Sequence, residues 1–99
     1  MRVNNHSVSA LLDSGAGVTV FPASLVYPSQ IRPTTERVTA ANGSRISVLG
    51  EARVMVHIGP DKFIADCLIS DRINLPLLGF DWMSKNDVYW MFGSGEVRI

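Results

Sequence analysis

Short apolar stretches of four to seven residues alternate with clusters of Gly, Pro, Asn, Asp and Ser along the whole chain. Within the longer stretches, at residues 52–58 and 63–69, apolar and polar positions alternate with the period of two that is typical of β-strands. Long stretches with the 3.6-residue period of a helix are absent from the sequence. The pattern predicts seven to nine short strands and at most two helical turns, which indicates an all-β barrel.

Polar clusters between these stretches predict three β-hairpins, with turns at residues 4–7, 41–44 and 93–95. The first would pair residues 2–3 with 8–12. The second contains Asn42-Gly43, the strongest short hairpin signal, because both residues accept a positive φ.

Two segments fit short helical turns. Residues 22–25 begin with a proline, which suits the first helical position, and residues 81–85 begin with Asp81, which suits a helix start as a structural residue. Pro28 and Pro33 predict a loop between the first turn and the second hairpin.

The composition fits one globular domain, residues 1–99, or half of a symmetric assembly. Hydrophobic residues make up 46% of the chain and charged residues 18%, with nine basic and nine acidic side chains. Because the net charge is zero and no basic run occurs, nucleic acid and anionic membranes are disfavoured as partners. No apolar run approaches the ~18–20 residues of a membrane span, and no signal peptide opens the chain.

Cysteine and histidine offer little for metal or redox chemistry. Cys67 is the only cysteine, so an intrachain disulfide is excluded and a buried structural thiol is expected. His6 and His57 lie far apart and lack the spacing of a metal site. We therefore expect neither a metal nor a cofactor.

The segment LLDSGAGVTVF, residues 11–21, carries the candidate chemistry. Asp13 follows two leucines, and a carboxylate at the end of an apolar strand is costly to desolvate unless hydrogen bonds or a shared proton compensate it. The small residues after it keep the space above the carboxylate open. This arrangement predicts a protease, and the alternative is a turn aspartate in an inactive β-domain.

A protease of this kind needs two carboxylates. Two acids in contact resist double ionisation and share one proton, so one can activate water while the other protonates the leaving amine. The sequence contains a single Asp-Ser-Gly. The second carboxylate must then come from a second copy, placing Asp13 and its symmetry mate at a two-fold axis.

Three motifs, LLDSGAGVT, VTAANGSRI and LPLLGFDWM, resemble the active-site loop, flap and apolar-apolar-Gly segment of the retropepsins, and they occur in the same order. Retropepsins are the dimeric aspartic proteases of retroviruses and LTR retrotransposons. The segment LLGFDWMSKNDVYWMFGSGEVRI most resembles the gypsy-like retrotransposon branch. The resemblance implies a closed retropepsin-like barrel with a flap hairpin and one short C-terminal helix.

The resemblance also implies residue roles. Asp13 would be catalytic, Ser14 would lock the two active-site loops together across the dimer, and Gly15 would offer its carbonyl to the substrate backbone. Gly17 departs from many retroviral members, which have an aspartate there. The substrate-binding residues would be Gly15, Ala16, Gly17, Ala40, Ala41, Asn42, Gly43, Ser44 and Leu77.

The final hairpin is expected to supply the inter-subunit sheet, because its aromatic and apolar residues are costly to expose. Besides Ser14, the dimer-interface residues would be Tyr89, Trp90, Met91, Phe92, Val97 and Ile99; the alternative is burial within one subunit.

The expected partners are a second copy of the chain and a peptide or polyprotein substrate, with no nucleic acid and no membrane. The expected location is the cytoplasm or a retroelement particle. Two other readings stay open: a non-catalytic dimerisation or peptide-binding module with this fold, and the protease domain of a cellular ubiquitin-shuttle protein.

Overall fold

The computed structural model describes residues 1–13, 15–39, 43–91, 93–94 and 96–98. In these ranges the chain forms eleven strands, two 3₁₀ turns and one α-helix. The strands are β1 (Arg2–Val3), β2 (His6–Ser7), β3 (Leu11–Leu12), β4 (Val20–Pro22), β5 (Val38–Thr39), β6 (Arg45–Ile46), β7 (Gly50–Ile58), β8 (Asp61–Ser70), β9 (Leu77–Leu78), β10 (Tyr89–Met91) and β11 (Glu96–Arg98). The 3₁₀ turns are Ala23–Leu25 and Pro28–Gln30, and helix α1 is Phe80–Lys85.

Seven strands form the main sheet, in the order β2-β1-β7-β8-β4-β9-β3. The hairpin β7–β8 is its longest unit and pairs Gly50 with Ile69 at one end and Ile58 with Asp61 at the other. Strand β4 runs parallel to β8, and β3 runs parallel to β9. Two further antiparallel pairs, β5–β6 and β10–β11, lie outside this sheet.

The alternating pattern of β7 and β8 decides which side chains enter the core. Val54, Val56 and Ala65 point inward and are buried, whereas Met55 and Ile64 are exposed. The last four residues of β8 are all buried: Cys67 and Ile69 pack in the main core, Leu68 packs in a second apolar cluster, and Ser70 donates to Ser47 O. Full burial of a valine, leucine or isoleucine side chain stabilises the fold by about 1.5–3 kcal/mol.

The first hairpin differs from the prediction. β1 pairs with β2, and the turn is the two residues Asn4 and Asn5, with φ of 46° and 70°. Asparagine tolerates this left-handed conformation, so a two-residue turn suffices and the four-residue turn was wrong. Part of the expected partner strand instead forms β3, which pairs with β9.

The segment expected to be a loop contains a 3₁₀ turn at Pro28–Gln30. Tyr27 N–H donates to Gln30 Oε1 at 2.9 Å, and Asn4 Nδ2 donates to the same oxygen at 2.7 Å. Asn4 therefore ties the first turn to this segment. The two expected helical segments were nearly right: a 3₁₀ turn begins at Ala23, and α1 begins one residue early, at Phe80.

No helix in the described ranges is both long enough and apolar enough to cross a membrane.

Candidate active site

Asp13 leaves the sheet where β3 ends. Its backbone N–H donates to Leu78 O at 3.0 Å, which continues the parallel pairing of Leu11–Leu12 with Leu77–Leu78. The side chain is exposed, and its Oδ1 accepts a hydrogen bond from Gly15 N–H at 3.0 Å. Ala16 N–H donates to Asp13 O at 3.1 Å and closes the turn. The carboxylate is thus oriented by its own loop while one oxygen remains available to solvent.

The loop is held from behind by the start of α1. Phe80 N–H donates to Ala16 O at 2.7 Å. A Cβ on Gly79 would lie 2.4 Å from Val18 O and 2.9 Å from Ala16 O, closer than a side chain can approach. Glycine at position 79 therefore lets the two backbones come together, which fixes the loop that carries Asp13.

A buried hydroxyl joins the same two segments. Thr19 is 1% exposed, and its Oγ1 donates to Asp81 Oδ1 at 2.7 Å and accepts from Gly79 N–H at 3.1 Å. Thr19 N–H also donates to Asp81 Oδ2 at 3.3 Å, and Trp82 N–H donates to Asp81 Oδ1 at 2.7 Å. The sequence assigned Asp81 a structural role at the helix start, and the structure adds that its carboxylate bridges α1 to the segment before β4.

Above the loop lies a cleft of about 570 Å³ between the Asp13 turn and the hairpin β5–β6. Five predicted site residues line it: Asp13, Gly15, Ala16, Gly17 and Leu77. A Cβ on Gly17 would meet no atom within 4 Å, so this part of the cleft is open. Surface grooves of about 530 and 620 Å³ occur elsewhere, so the cleft is distinguished not by its size but by the Asp13 carboxylate, which Gly15 N–H orients.

Further cleft residues were missed by the sequence analysis: Val18, Val20, Arg37, Val38, Thr39, Ile46 and Ile73. Val38 and Ile46 are cross-strand partners in β5–β6. Only the folded chain brings this hairpin beside Asp13, so the sequence pattern gave no signal for these residues.

Several predicted site residues are not brought into the cleft or lie outside the described residues. Gly43 and Ser44 do not line the cleft. Six further predicted residues lie outside the described ranges: Ser14, Ala40, Ala41, Asn42, Phe92 and Ile99. Tyr89, Trp90, Met91 and Val97 belong to the paired strands β10 and β11. The substrate-binding and interface roles assigned to these residues stay predictions.

Away from the cleft, charges pair on the surface of β7 and β8. Arg53 Nε lies 2.7 Å from Asp66 Oδ1, and Lys85 Nζ lies 3.2 Å from Asp66 Oδ2. The hydrogen bond from Arg53 is the main reason that the pKa of Asp66 is lowered. All three side chains are exposed, so these ion pairs contribute little to stability.

Cys67 is 4% exposed, and its Sγ donates to Ala52 O at 3.5 Å. Burial raises the pKa of the thiol to about 12. The thiol therefore stays neutral near pH 7 and is no nucleophile, which agrees with the structural role predicted for it. In the described part of the chain, no three His, Cys, Asp or Glu side chains lie close enough together to hold a metal ion.

The sequence model of the family described as "gag-polyprotein putative aspartyl protease" matches residues 1–85. The chain belongs to this aspartyl protease family. It is an aspartic endopeptidase, as the Asp-Ser-Gly loop predicted, and the resemblance to retropepsins is confirmed. The gypsy-like branch stays a prediction.

Solved structures agree with the fold of this protease. EIAV protease complexed with the inhibitor HBY-793 superimposes with a TM-score of 0.68 at 19% sequence identity, over 91% of this chain and 86% of that one. The predicted all-β retropepsin-like fold with one short C-terminal helix is therefore confirmed. No curated protein matches the chain.

Proposed function

We propose that two copies of this protease assemble about a two-fold axis and hydrolyse peptide bonds between their two Asp13 carboxylates. The observation that carries the proposal is the position of Asp13, whose oriented, exposed carboxylate lines the cleft. Among the described cleft residues it is the only acid. A single carboxylate cannot act as base and acid at once, so a second copy completes the site.

The two carboxylates would share one proton, because like charges in contact resist double ionisation. The ionised one takes a proton from water as the water oxygen attacks the carbonyl carbon of the peptide bond. The protonated one donates a hydrogen bond to the carbonyl oxygen. As the C–N bond of the resulting tetrahedral intermediate breaks, one acid of the pair gives its proton to the amide nitrogen, which leaves the pair with one shared proton again.

The shape and lining of the cleft support an extended, mainly apolar peptide as substrate. Aliphatic side chains dominate the lining, including Val20, Val38, Ile46 and Leu77. The hairpin β5–β6 stands over the loop, where its backbone could pair with an extended peptide. We propose that the natural substrate is a retroelement polyprotein containing this domain, cleaved in the cytoplasm or in a retroelement particle.

The first test is cleavage of a fluorogenic peptide library at about pH 5 by the wild type and by Asp13→Asn. The variant should lose roughly 10²–10⁴-fold or more in kcat/KM, because both acids of the pair are replaced. Its circular dichroism spectrum and sedimentation should match those of the wild type. Cleavage by a folded Asp13→Asn dimer at the wild-type rate would refute the catalytic role.

A mixing experiment tests whether two chains share the site. With a ninefold excess of Asp13→Asn, random pairing leaves only about one tenth of wild-type chains with a wild-type partner, so activity per wild-type chain should fall about tenfold. Unchanged activity would show that one chain suffices. Deletion of residues 95–99 should give an inactive monomer if the final hairpin forms the interface, and an intact dimer in sedimentation would reject that role.

The pH profile provides a third test. Activity should peak on the acid side of neutrality, where the pair holds one proton, and fall as the second proton is lost. A profile that is flat between about pH 4 and pH 9 would contradict the shared-proton mechanism.

A further inference from the structure

Among the described residues that line the cleft, two carry a formal charge: Asp13 and Arg37. The rest are glycine, alanine, threonine and aliphatic residues. In the proposed function Asp13 is committed to the reaction. Arg37 is then the one charged group of this lining that is left to recognise a substrate side chain.

Arg37 lies at the base of the hairpin, which is anchored to the body of the protein. It immediately precedes β5, whose first residue, Val38, is 8% exposed and belongs to an apolar cluster with Val20 and Leu68. Val38 also pairs with Ile46 across the hairpin. The backbone of Arg37 is therefore held beside the cleft.

The guanidinium of Arg37 is available for a ligand. The side chain is exposed, and it makes no ion pair in the part of the chain that the structure describes. The adjacent Glu36 borders two other grooves but not the cleft. Arg37 also borders the groove of about 620 Å³, so it lies between that groove and the cleft.

We infer that Arg37 selects substrates that carry an aspartate or glutamate side chain on the part of the peptide that passes the base of the hairpin. The inference rests on the proposed function and narrows its substrate class to apolar peptides with one acidic position. A planar guanidinium can accept a carboxylate through two parallel hydrogen bonds, which a neutral side chain cannot reproduce.

The expected preference for an acidic substrate side chain is modest, because Arg37 is exposed and its ion pair with the substrate would be partly solvated. An exposed pair corresponds to about a 1.5- to fivefold difference in kcat/KM between a glutamate peptide and its glutamine counterpart. Salt should reduce it, since the Debye length shortens from about 10 Å at 0.1 M to 3 Å at 1 M ionic strength.

Arg45 provides a matched control. It has the same charge, is also exposed, and sits on the paired strand of the same hairpin opposite Thr39. It lines the groove of about 620 Å³ but not the cleft. Loss of either arginine changes the net charge equally, so only a contact inside the cleft distinguishes them.

The experiment measures kcat/KM on one cleavable apolar peptide in which each flanking position in turn is glutamate, glutamine or lysine. For the wild type, one position should favour glutamate over glutamine by about 1.5- to fivefold. Arg37→Gln should remove that preference while still cleaving the glutamine peptide, and Arg37→Glu should favour lysine at the same position. Arg45→Gln should behave as the wild type.

The outcomes separate this inference from the proposed function. If neutral peptides are cleaved in an Asp13-dependent way but no position favours glutamate, or Arg37→Gln and Arg45→Gln have equal effects, the role of Arg37 is refuted and the protease proposal stands. If no peptide is cleaved, neutral ones included, the proposed function fails and the inference fails with it.

Discussion

Replacing Gly79 with alanine tests the close contact that fixes the active-site loop. The new Cβ would lie 2.4 Å from Val18 O, 2.6 Å from Val18 C and 2.9 Å from Ala16 O. Ordinary contact requires one backbone to move by roughly 1 Å. That movement would stretch two hydrogen bonds, from Phe80 N–H to Ala16 O at 2.7 Å and from Gly79 N–H to Thr19 Oγ1 at 3.1 Å.

The loss of stability in Gly79→Ala is the sum of a steric contribution and a hydrogen-bond contribution. Overpacking in a filled region costs about 1–3 kcal/mol, and weakening two hydrogen bonds adds about 1 kcal/mol. We expect Gly79→Ala to lower the free energy of unfolding by about 2–4 kcal/mol. For a domain of this length each kcal/mol corresponds to about 4–8 °C, so the Tm should fall by roughly 8–32 °C.

Gly17→Ala is the matched control. Position 17 belongs to the same loop, but a Cβ there meets nothing within 4 Å, and its φ is outside the left-handed region that Gly43 and Gly59 occupy. Alanine should change stability by less than about 1 kcal/mol, in the stabilising direction, because it restricts the unfolded chain. Thermal unfolding at one fixed protein concentration compares the two variants. Equal Tm values for Gly79→Ala and Gly17→Ala would refute the steric argument.

Three other predictions concern single side chains. Thr19→Val should lower the free energy of unfolding by about 1.5–3 kcal/mol in urea denaturation, because it removes the hydroxyl that Asp81 accepts from, and Thr19→Ser should retain most of the stability. Cys67 should make stability fall at alkaline pH: the unfolded thiol ionises from pH 9.0 and the folded one only near 12, so stability drops by up to about 1.4 kcal/mol per pH unit in between. Cys67→Ala should remove that slope, and an unchanged slope would contradict the assignment. Because the pKa of Asp66 is lowered, its ion pairs should stabilise the fold above pH 3.8 and lose that effect as pH falls through the folded pKa. Asp66→Asn should therefore cost about 0.2–1 kcal/mol at pH 7 and nothing in strong acid, and a larger loss would show that the pair is not solvated.

The alternation of apolar and polar residues predicted the two longest strands correctly, whereas the length of the first turn was predicted wrongly. Residues 52–58 and 63–69 lie within β7 and β8, because the alternation of side chains along a strand is a property of the segment itself. The first hairpin was predicted with too long a turn. Both Asn4 and Asn5 adopt positive φ, and the sequence pattern alone did not distinguish a two-residue from a four-residue turn.

By itself the sequence determined the all-β class and singled out Asp13 as the candidate catalytic residue, because the class follows from periodicity and the candidate from residue chemistry. Only the tertiary structure decided that Thr19 bonds to Asp81, 62 residues away, and that Arg37 borders the cleft. Both depend on which strands become neighbours, β9 between β3 and β4 above all. That order is set by the burial of the whole apolar surface at once, so no single segment encodes it.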